Sequence, residues 1–142
     1  MDIAITLPKH LWKAICSGDK IYECRKRLPR NFMRVYDKCW VILKGTNDVA
    51  GYFYIDHFFY CINVEDIEKN FLDRLCVDKT WFERYAKRYD VLHLWKIGRP
   101  VYELTASHNR DEFLDIPANP QSYVYCRPTC DSGIRYIEHI GK

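Results

Sequence analysis

The run SGDKIYECRKRLPR, residues 17–30, constrains this chain more than any other stretch. Leu11, Trp12 and Ile15 repeat at helical spacing and lead to Gly18, whose tolerance of a left-handed backbone suits the end of a helix. From Ile21 the pattern changes to a period of two, which predicts a strand from Ile21 to Leu28 with Glu23, Arg25 and Arg27 on one face. Same-face neighbours on a strand lie about 6.5–7 Å apart, so Glu23 can pair with Arg25 while Arg27 stays available, and Lys20 enters from the turn. Such a set is either an ion pair on the surface or a site for a phosphate, a base edge or a polarised carbonyl.

At 142 residues, 48% of them hydrophobic, the chain is expected to form one domain with a single core. No window approaches about eighteen consecutive apolar residues, so no membrane contact is expected. The opening MDIAITLPKH lacks the pattern of a secretory signal, and a cytoplasmic location is expected. The seven cysteines cannot all pair within one chain and sit mostly in apolar patterns, as reduced core thiols do. The net charge of +3 is mild, but Lys20, Arg25, Lys26, Arg27, Arg30 and Arg34 form a basic stripe of the kind that meets nucleic acid or simply faces water.

Along the chain, Ile3–Leu7 reads as a strand, Pro8 as the start of a helix, and Tyr36–Leu43 and Val49–Ile62 as strands joined through the turn KGTND into a hairpin. Helical spacing returns from Val64 to Leu75 and again from Thr80 to Tyr89, where Trp81, Phe82, Tyr85 and Tyr89 form a stripe expected to pack on a sheet. Val91–Leu104, around Gly98-Arg99-Pro100, and Ser122–Cys126 read as further strands. The order indicates an α+β domain on a curled sheet, for which a small barrel is the natural closure. Residues 127–142 are too short for a second domain and are expected to pack on the first, as an ordered extension or as a pairing strand.

The spacing Gly18-x-Lys20-x-x-Glu23-x-Arg25 resembles the signature of the ASCH domain, a small PUA-like fold. IPANPQSYV, residues 116–124, is similar to the Pro-Gln-Ser-aromatic end of that family, and DVAGYFYID to its glycine-centred strand, so the resemblance spreads over residues 3–126. It implies a PUA-like mixed or antiparallel β-barrel flanked by helices over residues 1–126, with a cleft for RNA, a nucleotide or a modified base. In the family's amidohydrolase branch a Lys acts with a Thr three residues on and a downstream acid. Lys20 matches the Lys, Glu23 stands in the Thr position, and Asp73 and Asp78 lie in the downstream region. An ionised carboxylate only accepts hydrogen bonds and does not replace a hydroxyl donor.

The leading expectation is therefore an RNA- or nucleotide-binding module in which Lys20, Arg25 and Arg27 meet phosphate or base edges. Glu23 orients Arg25, Tyr22 and Tyr123 stack on bases, and Gln121 and Ser122 line the cleft. The alternatives are a hydrolase of nucleic acid or a modified nucleoside using Lys20 and Glu23, and a protein-interaction adaptor presenting the aromatic residues 52–60. No cofactor is expected, because no glycine loop of the phosphate-cradling type occurs. No metal is expected either, since Cys126, Cys130 and His139 do not have a common zinc spacing. His57, set among aromatics, reads as a core residue.

Overall fold

The computed structural model describes residues 2–27, 37–115, 123–129 and 133–141. Strand β1 (Asp2–Leu7) leads into helix α1 (Lys9–Ser17), with Pro8 immediately before it. The Pro8 carbonyl accepts from the Leu11 and Trp12 N–H groups, and Gly18 closes the helix in the left-handed region at φ 91°. β2 (Tyr22–Arg25) follows, shorter than the pattern predicted, and Leu28 and the Gln121–Ser122 pair lie outside the described residues. β3 (Cys39–Leu43) and β4 (Asp48–Phe53) form the expected hairpin, with Gly45 and Asn47 at positive φ in its turn.

The expected long strand Val49–Ile62 is two strands in different sheets. β4 ends at Phe53 and β5 (Ile55–Asn63) begins after the single intervening residue Tyr54, whose carbonyl accepts from the Gly98 N–H at 2.7 Å where the chain changes partners. The second sheet is crossed by helices α2 (Val64–Asn70), α3 (Leu72–Leu75) and α4 (Lys79–Tyr85) before β6 (Val91–Ile97) pairs with both β2 and β5. Then come β7 (Val101–Asn109), α5 (Arg110–Phe113), β8 (Leu114–Asp115), β9 (Val124–Pro128) and β10 (Tyr136–His139). The last strand pairs antiparallel with β7.

Among the described residues the ladders form two open sheets, β10-β7-β4-β3-β1-β9-β8 and β2-β6-β5. The fold is α+β, but the expected barrel is not closed. The physical reason is that β2 pairs with β6, so the small sheet meets the large one through side chains: Trp95 and Ile97 of β6 share a core with Ile3, Ile5, Trp12 and Val41. Such face-to-face burial satisfies the apolar surface without a joining ladder. A second cluster around Ile67, Leu75, Phe82 and Leu94 fastens α2–α4 to the small sheet. His57 is exposed on β5, edge-on to Phe59, contrary to the core position expected for it. β5 carries two register shifts, and at Cys61 the backbone takes φ 52° while its N–H donates to His93 Nδ1 at 3.1 Å.

One glycine is demanded by close approach. A Cβ on Gly51 in β4 lies 2.1 Å from the Tyr102 carbonyl oxygen and 2.9 Å from Trp12 Cζ2. Gly51→Ala must therefore push β4 away from β7 and α1, and it is expected to destabilise the protein by about 3 kcal/mol, the upper range for overpacked sites. A urea midpoint equal to that of the parent chain contradicts this reading of the β4–β7 contact.

Candidate nucleotide-binding cleft

The turn after α1 and the alternation of β2 set the centre of the site. Tyr22 and Cys24 face the core shared with α2–α4, and Glu23 and Arg25 face the opposite way, as a period of two requires. Lys20, Glu23 and Arg25 are the buried charged residues of this region, 1%, 6% and 8% exposed. Lys20 Nζ donates to the Leu75 carbonyl at 2.7 Å and lies 3.7 Å from Glu23 Oε1. On the other side Arg25 Nη2 stands 3.5 Å from Glu23 Oε2, and the Cys24 N–H donates to Glu23 Oε1 at 3.1 Å.

Burial alone pushes the Glu23 carboxyl up. The charges of Lys20 and Arg25, with the hydrogen bonds from the Cys24 N–H and Arg25, outweigh it and hold the group below its ordinary value. The group thus sets two cations around one ionised carboxylate, all three buried.

Glu23 and Arg25 open onto a cleft of about 950 Å³. Its walls are the end of β1 and start of α1 (Thr6 to Leu11), the turn residue Lys44, and Cys76 to Trp81 at the α3–α4 junction. Lys26 and Arg27 continue β2 along its rim, with Arg27 exposed. An aromatic ladder runs beside them. Trp81 stacks on Tyr85 with centroids 4.9 Å apart at 11°, and Lys26 Nζ lies 4.5 Å from the centre of the Tyr85 ring and 4.9 Å from that of Tyr89. The Tyr85 hydroxyl donates to the Cys24 carbonyl at 3.3 Å and ties the ladder to β2. Asp78 Oδ1 accepts from the Trp81 N–H at 2.7 Å as the N-cap of α4, which occupies that carboxylate structurally.

The residues predicted from sequence separate into groups. Glu23, Arg25, Arg27 and Tyr123 line the cleft. Lys20 stands behind Glu23, held by Leu75. Tyr22 lies on the other face of β2, edge-on to Phe59 and Phe71 with the Arg74 guanidinium 5.4 Å from its ring. Asp73 is exposed on α3 and is not part of the lining. Trp81, Tyr85 and Tyr89 were expected to pack as a helical stripe. Only Phe82 of that stripe is fully buried; Trp81, inside α4, stays 41% exposed, and Tyr89 stays 43% exposed beyond the end of α4 at Tyr85, where Arg88 turns the chain at φ 72°. The one sequence signal for this arrangement is the density of Trp and Tyr beside Lys and Arg over residues 81–89.

The chemistry available is recognition of an anion with a flat apolar part: cations and N–H groups for charge, rings for stacking. Cys24 offers no ready nucleophile, since burial, reinforced by the Glu23 carboxylate, pushes its thiol up to about 12. Among the described residues no helix is long and apolar enough to cross a membrane.

No family model and no curated protein sequence matches the chain. Its fold is similar to that of the crystal structure of ASCH from Zymomonas mobilis, with a TM-score of 0.72 at 19% identity over 89% of this chain and 87% of that one. Two single-residue variants of the Zymomonas mobilis protein give TM-scores of 0.74 and 0.70 at 19% and 18% identity, covering 89% of this chain and 88% and 90% of theirs. A likeness of that extent over 89% of the chain shows that it has an ASCH-like fold.

Proposed function

We propose that the protein is a cytoplasmic RNA- or nucleotide-binding module acting through the cleft beside Arg25, with residues 127–142 an extension of the same domain. The observation that carries this reading is the meeting of Glu23 and Arg25, backed by Lys20, with the Trp81–Tyr85–Lys26–Tyr89 ladder in one cleft that Arg27 and Lys44 also line. Phosphate is drawn to Arg25, Arg27 and Lys44, and a base finds a stacking surface at Trp81, with Tyr123 a further ring in the lining. The β10–β7 ladder supports the reading of the C-terminal extension.

Hydrolysis by Lys20 and Glu23 fits the geometry less well. Lys20 Nζ is committed to the Leu75 carbonyl, and a carboxylate stabilised in its ionised form is a weak general base. Fluorescence anisotropy with short single-stranded and duplex RNA and DNA, followed by mass spectrometry of the same mixtures, separates the two. Binding that weakens with salt and leaves the oligonucleotide mass unchanged supports the module. Arg27→Ala and Lys44→Ala are each expected to reduce the slope of log affinity against log salt by about 0.7 on single strands. Cleaved or deacylated product that disappears in Lys20→Ala makes the protein an enzyme instead. Absence of both signals turns attention to the exposed Phe59 and Tyr60 of β5 as a protein contact.

A further inference from the structure

Outside the cleft, three potential metal-ligating side chains converge from distant parts of the chain. Cys16 lies in the last turn of α1, Glu103 in β7 and His139 at the end of β10, and one ligand atom from each lies within 4.8 Å of the other two. The ladder explains half of this. His139 is paired with Val101, two positions from Glu103, so His139 and Glu103 are diagonal neighbours on one face, and His139 Nε2 stands 2.9 Å from Glu103 Oε1. The other half comes from Arg99, whose guanidinium donates to the Ile15 and Lys20 carbonyls and holds the end of α1 against this corner.

We propose that Cys16, Glu103 and His139 form a zinc site with a fourth position open to solvent. A thiolate, an imidazole and a carboxylate are the donor types that zinc takes at about 2.0–2.3 Å, and tetrahedral bonds of that length place ligand atoms roughly 3.3–3.7 Å apart. The His139–Glu103 pair needs to open by a few tenths of an ångström and the Cys16 sulfur to move inward by at most about 1 Å, changes within the reach of side-chain rotation. All three residues are half-buried, so water can fill the fourth position. The soft sulfur and the imidazole select against magnesium and calcium, which take oxygen ligands.

Charge is balanced as well. Two anionic ligands neutralise a divalent ion, so the neighbouring Arg99 faces a neutral centre and not a second cation. Binding moves protons as well as atoms: the Cys16 thiol releases its proton to solvent as the metal–sulfur bond forms, and the proton that His139 Nε2 donates to Glu103 leaves that nitrogen, with Nδ1 taking one up from water, so that Nε2 is free to bind and one proton is released on balance. The site ties three elements into one corner, fastening the C-terminal strand to the first helix. Sequence spacing could not show this, because the ligands come from three separate elements.

The test uses the full chain, stripped with a chelator and titrated with Co²⁺ as an absorbing stand-in for Zn²⁺. One equivalent is expected to give tetrahedral cobalt bands and a thiolate-to-cobalt charge-transfer band, with release of about one proton per metal, and Zn²⁺ should displace both signals. Zn²⁺ in excess should raise the melting midpoint by about 5 °C or more. Cys16→Ser should abolish the charge-transfer band, and His139→Gln and Glu103→Gln should each weaken Co²⁺ binding about tenfold or more. If Cys16→Ser does not fold, the two surface-side variants decide the matter. No charge-transfer band in the parent chain, or parental binding in both His139→Gln and Glu103→Gln, overturns the site and assigns any bound cobalt to other cysteines.

Discussion

Glu23→Ala is expected to lower stability by about 3–5 kcal/mol, because it leaves Lys20 and Arg25 buried without their shared counter-charge. The urea midpoint should fall with little change in slope. Glu23→Gln retains the shape and one acceptor and should fall between the two. The pH dependence follows from the depressed carboxyl. A group whose pKa is lower folded than unfolded adds stability that is full above the ordinary value of 4.5 and is lost as pH falls through the folded value. The parent chain should therefore lose more stability below about pH 4.5 than Glu23→Gln does. A loss below about 1 kcal/mol for Glu23→Ala, the range of exposed pairs, is incompatible with the buried arrangement. Replacing the whole trio with apolar residues of similar volume, Lys20→Met with Glu23→Leu and Arg25→Met, should restore much of the stability, as for other buried ion groups, while removing the charge that draws an anion to the cleft. Stability and binding would then separate, and that separation distinguishes a functional trio from a structural one.

The second large effect is expected at Trp81. It is 41% exposed, one face is stacked on Tyr85, and its side chain makes little contribution to the core. Trp81→Ala should leave the melting midpoint within a degree or two yet weaken single-stranded RNA binding by about 1–3 kcal/mol, roughly 5- to 150-fold. The loss should persist at high salt, where the contributions of Arg27 and Lys44 fade. Trp81→Phe should recover much of it. Anisotropy titrations at two salt concentrations make the comparison, and equal affinities for Trp81→Ala and the parent chain would show that no base stacks there.

The contrast between these two sites shows which kind of information a sequence carries. Glu23 and Arg25 are neighbours on one strand, so local alternation alone brings them together, and the glycine at position 18 marks where the helix must give way. Lys20 shares that local frame, but its partner, the Leu75 carbonyl, comes from 55 residues away and is a backbone atom that no side-chain pattern announces. The ring ladder was visible as a helical stripe, and periodicity marks a stripe without saying whether another element covers it. Phe82 is covered by Ile67 and Leu75, while Trp81 faces the cleft. Strand positions were legible from alternation, whereas the division of residues 49–62 between two sheets depends on distant partners, β7 for β4 and β6 for β5, with the Gly98–Tyr54 contact at the changeover. Whether ladders close into a barrel is likewise a question of long-range partners, and β2 chooses β6.

The irregularity of β5 has a consequence for how copies of this protein behave beside one another. A nine-residue strand at the edge of the small sheet, bearing Phe59 and Tyr60, is the kind of surface on which another chain can add itself strand by strand. Growth of that kind needs an even repeat of donors and acceptors. The two register shifts and the left-handed backbone at Cys61, pinned by His93, interrupt that repeat. An edge broken in this way offers a poorer template for edge-to-edge pairing than an even strand of the same length and aromatic content would.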